Sequence, residues 1–147
     1  MAPSEGPPSE RAVVAVVLSC RGRIALLRRS PLLSSEGGRW HCVTGFVESD
    51  SPVLDAAREL HEETGLGVAD LVALSAGPVL SLRDREAATW TVHTFWAETE
   101  RRRLTLNWEH DDYRWVAPHR LPRFDGQVEW LGQVLASMPQ LDEVGRV

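Results

Sequence analysis

The 147-residue chain contains no lysine, so every fixed positive side chain is an arginine. Any cationic grip on a phosphate must therefore come from a guanidinium, which can hold two oxygens at once. Cysteine is scarce as well. Cys20 and Cys42 both sit in apolar stretches and read as buried reduced thiols in preference to a disulfide or a metal pair. No apolar run approaches the roughly 20 residues a membrane-spanning helix needs, so no membrane partner is expected. Residues 1–10, rich in Pro, Ser and Glu, lack a basic segment followed by an apolar core. They read as a disordered tail, not a secretion leader, and the expected location is cytoplasmic. Positive charge is in deficit overall, and the net charge of −5 argues against a nucleic-acid polymer as partner.

What the sequence does hold fits one soluble domain over residues 11–140: 43% of residues are apolar and 25% charged, ordinary values for a globular core. Residues 12–20 (AVVAVVLSC) are a near-continuous β-prone run and read as a buried strand. Arg21-Gly22 makes a turn into a hairpin partner over residues 23–29. Residues 31–38 are a loop, and 39–44 a short strand. Ser51 as N-cap and Pro52 at the first helical position start a helix that runs to Thr64 and stops at Gly65. Strands are expected at 72–82, 89–98 and 113–116. Val128, Leu131, Val134 and Leu135 have the spacing of an amphipathic helix over 125–138. Strands interrupted by one central helix and closed by another imply an α/β layered domain with a mixed sheet.

On the central helix, Val53, Ala56, Ala57, Leu60 and Thr64 fall on the side that packs. Glu59, Glu62 and Glu63 gather opposite, with Asp55 one turn earlier. Like charges so placed repel by a few tenths of a kcal/mol per pair. A solvated acidic face tolerates that cost, and a divalent cation with oxygen ligands turns it into binding. Spacing alone does not choose between the two.

The flanking residues do. Gly45, the acidic Asp50, and Arg58-Glu59-Leu60-x-Glu62-Glu63-x-Gly65-Leu66 together resemble the Nudix box. Arg39-Trp40-His41-Cys42-Val43-Thr44-Gly45 resembles the strand that leads into it. Four residues separate Gly45 from Asp50, one fewer than in the family's pattern, and the acid is Asp where the family has Glu. The resemblance implies an α/β/α sandwich and in-line attack of water on phosphorus, with Mg²⁺, or Mn²⁺ in its place, neutralising the phosphate oxygens. It implies Glu59 and Glu63 as metal ligands and Glu62 as a further ligand or the base. Arg58 anchors the loop and a carboxylate, and the upstream Asp50 braces the loop. Glu109 is the candidate for an additional carboxylate, with Asp111 or Asp112 as its alternative. Substrate contacts are sought among Arg28, Arg29, Arg39, Trp40, Gly45 and Glu48. Trp40 and Trp96 are candidates for stacking on a ring, Trp115 reads as core and Trp130 as helix packing.

Glu48, the Thr44-Gly45 lead-in, and Trp108-Glu109-His110 followed by Tyr113-x-Trp115 resemble the branch that includes dihydroneopterin triphosphate pyrophosphohydrolase. A nucleoside- or pterin-triphosphate-like small molecule is the expected substrate. An isoprenoid diphosphate, a nucleotide sugar, or a non-catalytic nucleotide-binding role are the alternatives, and the family's frequent homodimers are the expected assembly if there is one.

Overall fold

A computed structural model describes residues 11–144, so the expected tail at 1–10 lies outside the described residues. The strands are β1 (Arg11–Cys20), β2 (Arg23–Arg29), β3 (Trp40–His41), β4 (Val43–Phe46), β5 (Leu71–Arg83), β6 (Thr89–Thr99) and β7 (His110–Val116). The α-helices are α1 (Pro52–Thr64), α2 (Leu131–Ala136) and α3 (Pro139–Val144), with short 3₁₀ turns at Val68–Asp70 and Pro118–Arg123.

The apolar run of β1 is continuous because both of its faces are covered. Val13, Ala15 and Val17 enter one apolar cluster, and Val14, Val16 and Leu18 enter the other. Along one side β1 lies parallel to β6, from Arg11 opposite Trp90 to Ser19 opposite Glu98. Its other side is shared, with β4 antiparallel to Val13–Val16 and β2 antiparallel to Ser19 and Cys20. β2 in turn carries β3 and β7, and β5 closes the far edge against β6. One parallel pairing among antiparallel ones makes the sheet mixed, as expected.

Each face of the sheet carries helix. Ala56 and Leu60 of α1 cover the cluster built on Val14, Val16 and Leu18. Leu131, Val134 and Leu135 of α2, with Leu141 of α3 partly buried beside them, cover the other. The result is the expected α/β/α sandwich, and both cysteines are buried and free.

Three expectations need correction. The segment 39–44 is two strands, because Trp40–His41 pairs with β2 and Val43–Phe46 with β1, so Cys42 sits where the chain crosses between them. The strand expected at 113–116 starts at His110, since Asp112 pairs with Arg28 and, past a bulge at Asp111, His110 pairs with Arg29 of β2. The helix expected over 125–138 begins only at Leu131. Before it, the chain runs alongside β3: the Trp40 N–H donates to the Gly126 carbonyl at 2.8 Å and the Val128 N–H to the Trp40 carbonyl at 2.9 Å. Val128 is buried, as its spacing requires, but from an extended backbone.

Candidate metal and phosphate site

The acidic helix is positioned at both ends. The Ser51 hydroxyl accepts from the Leu54 N–H at the start, with Pro52 in the first turn. At the end Gly65 takes the left-handed conformation with φ of 79° and donates to the His61 carbonyl at 2.9 Å. Between these caps Leu60 and Ala56 fix the helix on the sheet, which sets the direction of every other side chain on it.

Glu59 and Glu63 are not on the open solvent face where the helical spacing alone would put them. They are 7% and 1% exposed, pressed between the helix, β4 and the segment before β7. Glu62 remains exposed, and Val53, assigned to the packed side, is exposed too. Gly45 of β4 explains how Glu59 fits: a methyl group there would overlap the Glu59 carboxyl. Burial pushes the Glu59 carboxyl up against its ordinary value, with Arg58 partly offsetting it.

Glu63 is enclosed in the site. Neither of its carboxylate oxygens has a hydrogen-bond partner. Burial first, then the charges of Glu109 and Glu59, hold its carboxyl well above the usual carboxylate range. His110 stands beside it, with Nδ1 3.8 Å from Oε1 of Glu63. Burial and then the Arg29 charge push His110 down to about 4, so it stands there as a neutral imidazole at pH 7. Behind it His41 is fully enclosed, held down to about 3 by burial, and packs edge-on against Trp130. Neither histidine has a metal-ligand spacing in the sequence; the one signal for His110 is that it directly follows Glu109.

Arg58 is the hub of the site. Its guanidinium lies 2.7 Å from Asp55, 3.1 Å from Glu59, 3.9 Å from Glu48 and 4.0 Å from Glu62, and it donates to the Phe46 carbonyl. These contacts tie the loop after β4 and the Glu59 carboxylate to the helix. The loop brace, however, is a different acid from the one expected. Asp50 is exposed, whereas Asp55 is fully buried and accepts from the Glu48 N–H, the Ser49 N–H and the Ser49 hydroxyl as well as from Arg58. Burial pushes the Asp55 carboxyl up, but Arg58 and the Ser49 and Glu48 donors outweigh it and leave it below its ordinary value. Shortening the loop by one residue leaves Asp50 outside, and the acid one turn into the helix takes up the loop's N–H groups instead.

Glu109 is half-buried, its backbone N–H taken by the Asn107 side chain and its carboxylate accepting from the Asn107 amide at 3.2 Å. Its charge is felt at Glu63, whereas Asp111 is paired with Arg28 at 2.7 Å and Asp112 with Arg114 at 3.6 Å. Of the three acids in this segment, Glu109 is therefore the one turned to the site. Arg28 and Trp40 form a separate group, with the guanidiniums of Arg28 and Arg114 each 5.7 Å from the Trp40 ring centre. Arg29 holds the Ser35 carbonyl and Arg39 the Gln127 carbonyl, while Glu48 is exposed beside Arg58. Trp96 is buried in the core, and Trp115 is half-buried with its Nε1 donating to the Arg102 carbonyl.

Does this set of residues suit a divalent cation? Among the described residues, no three His, Cys, Asp or Glu side chains are already gathered at ligand distance of one point. The donor chemistry nevertheless fits. Two buried carboxylate oxygens without partners, a second buried carboxylate on the same helix face and a third acid charge nearby are hard oxygen donors of the kind Mg²⁺ takes.

A NUDIX domain profile matches residues 8–138. The chain is 37% identical over 145 residues to a Myxococcus xanthus protein named octanoyltransferase, covering 90% of this chain but only 38% of that protein's length. Among solved structures, the MutT protein of Methanosarcina mazei Go1 superposes with a TM-score of 0.75 at 21% identity, covering 93% of this chain and 96% of that one. The E. coli dihydroneopterin triphosphate pyrophosphohydrolase superposes at 0.69 with 20% identity, covering 84% of this chain and 91% of that one. The NUDIX domain of Shewanella oneidensis NrtR, complexed with ADP ribose, superposes at 0.71 with 14% identity, covering 92% and 88%. At these identities the structures establish the fold, and the match of the domain profile across nearly all of the chain establishes the family: this chain belongs to the NUDIX domain family.

Proposed function

We propose that this chain is a pyrophosphohydrolase that uses a divalent cation to cleave a diphosphate linkage in a nucleoside- or pterin-triphosphate-like substrate. The observation that carries the reading is Glu63, a carboxylate enclosed in the fold with two oxygens lacking partners and two further acids beside it. Enclosing such a group costs stability unless a ligand repays it, and an acidic helix without a role would leave its glutamates in water.

Glu59 and Glu63, with Glu62 and Glu109 as further donors, would hold Mg²⁺ or Mn²⁺. The bound cation would polarise the phosphoryl group and lower the pKa of a bound water. The chain's own contribution is positioning. Arg58 keeps Glu59 in place and ties the loop after β4 to the helix through Asp55. Glu62, at the exposed rim, is free to take a proton from the attacking water. Arg28, 41% exposed at its side chain, is available to a substrate phosphate by exchanging its Asp111 partner. The preference for a triphosphate rests on the Thr44-Gly45 lead-in and the Trp108-Glu109-His110 segment.

Product analysis with Mg²⁺ over nucleoside and pterin triphosphates, nucleotide sugars and prenyl diphosphates tests it. The expected outcome is pyrophosphate and a monophosphate from the triphosphates, with the other two classes turned over poorly. Faster turnover of a nucleotide sugar or a prenyl diphosphate would keep the hydrolase and replace the substrate. Tight nucleotide binding with no turnover of any compound would contradict the enzyme.

A further inference from the structure

His110 reaches Glu63 by way of an irregularity in the sheet. The β2–β7 ladder pairs Leu27 with Tyr113 and Arg28 with Asp112, so a regular continuation would set Asp111 opposite Arg29. The register slips there by one residue, and His110 takes that place. Leu27 and Tyr113 turn toward the apolar cluster under α1. Alternate residues of a strand share a face, so Arg29 and its partner His110 turn toward α1 as well. The bulge disrupts the ladder, and its effect is to exchange a carboxylate for an imidazole on the side where Glu63 stands. Asp111 pairs with Arg28 at 2.7 Å instead of adding a further acid charge beside Glu63.

The imidazole arrives where hydrogen-bonding groups have been left without partners. Of the six buried side-chain polar atoms without one among the described residues, five belong to Glu63, His110 and His41. Nδ1 of His110 and Oε1 of Glu63 are two of them, 3.8 Å apart, and both side chains are enclosed. That separation is beyond hydrogen-bond length, yet neither atom has another partner, and a small turn of either side chain closes it. Arg29 donates from Nε and Nη2 to the Ser35 carbonyl, which leaves His110 as the donor facing Glu63. The backbone beneath the ring is fixed. The Ser30 N–H donates to the Glu109 carbonyl at 2.8 Å, the Glu109 N–H to the Asn107 side chain at 3.0 Å, and the His110 N–H to the Asn107 carbonyl at 3.3 Å.

We propose that His110 is a positioning residue, whose Nδ1–H fixes the Glu63 carboxylate as a donor for the divalent cation. The proposal rests on the reading of Glu63 as a metal ligand and adds the group that holds it. Ligating carboxylates are themselves held by hydrogen bonds from outside the metal's own shell, and losing such a bond weakens metal affinity. An imidazole supplies the bond without the fixed positive charge that a guanidinium in its place would set against the cation.

The test is Mn²⁺ binding to the full chain without substrate, read from the electron paramagnetic resonance of the free ion. Wild type is compared with Glu63→Gln, His110→Phe and His110→Asn. Glu63→Gln should weaken binding and so identify the site. Phenylalanine keeps the bulk of the ring and removes the N–H, whereas asparagine brings an amide to the place of Nδ1. His110→Phe should therefore bind Mn²⁺ more weakly by on the order of 10 to 10² fold, and His110→Asn should recover most of that loss. Equal affinity in wild type and a folded His110→Phe, or a loss in His110→Asn as large as in His110→Phe, would overturn the proposal and leave Glu63 a ligand. No Mn²⁺ bound by wild type, or no effect of Glu63→Gln, would remove the metal reading and this proposal together. Should His110→Phe fail to fold, ¹⁵N NMR of the wild-type ring in Mg²⁺ decides. The His110 proton should stand on Nδ1, and a proton on Nε2 alone would overturn the proposal.

Discussion

At the scale of single residues, the site is a set of carboxylates whose positions are held by their neighbours. Gly45 is one of them. Alanine there must push the Glu59 carboxyl aside, and because the obstructed atoms are the flexible end of a side chain, the fold itself can give way cheaply. Gly45→Ala should therefore reduce turnover on the order of 10 to 10² fold while shifting the melting temperature little, as kinetics and thermal melting on the same preparation will show. Asp55 is another. Its carboxyl is below its ordinary value in the folded protein, so its contribution to stability is present above the unfolded pKa near about 3.9 and is lost as pH falls through the folded value. Denaturant unfolding of Asp55→Asn should show a deficit against wild type at pH 7 that closes below about pH 4. A deficit independent of pH would mean that Asp55 acts by packing alone. These residues also mark what the sequence could show. The glutamates and Arg58 stood out because helical spacing and the box pattern name them directly. Asp55 stands on the acidic face as the spacing places it, but its part as the loop's brace was not legible, because that depends on the path of the shortened loop and no periodicity describes a loop.

At the scale of elements, the acidic helix was the most legible piece of the chain, and for a local reason: its start and stop are written in residues whose backbone preferences are strong. Ser51-Pro52 and Gly65 bound α1 where expected. Gly65→Ala should cost about 1 kcal/mol or more, since a side chain is strained at φ of 79° and its Cβ would meet Thr105 at 3.0 Å. Chemical denaturation measures that directly, and a neutral result would mean the helix end relaxes. The C-terminal segment was legible only in its burial. Val128, Leu131, Val134 and Leu135 are all buried as the pattern demands, yet Val128 gets there through an extended stretch beside Trp40. An apolar spacing records which side chains turn inward; it does not say which backbone brings them there when a neighbouring strand offers hydrogen bonds.

At the scale of the whole molecule, one mixed sheet separates two apolar clusters, and the acidic helix rests on one of them while the C-terminal helices seal the other. The layered order is written into β1, which alternates its side chains between the two clusters from Val13 to Leu18. The second cluster bears on stability but stands on the face away from the glutamates. Leu131→Ala should thus cost about 2–5 kcal/mol and lower the melting temperature by roughly 2–4 °C per kcal/mol, with turnover per folded molecule kept. On the proposed reading, the buried Glu63 makes this chain a diphosphate-cleaving enzyme. The most direct test is the rate of pyrophosphate release from a Mg²⁺-triphosphate by wild type and by Glu63→Gln, with folding checked by melting. The account predicts that the variant stays folded and loses on the order of 10² or more in kcat. Equal rates for the two proteins would contradict it.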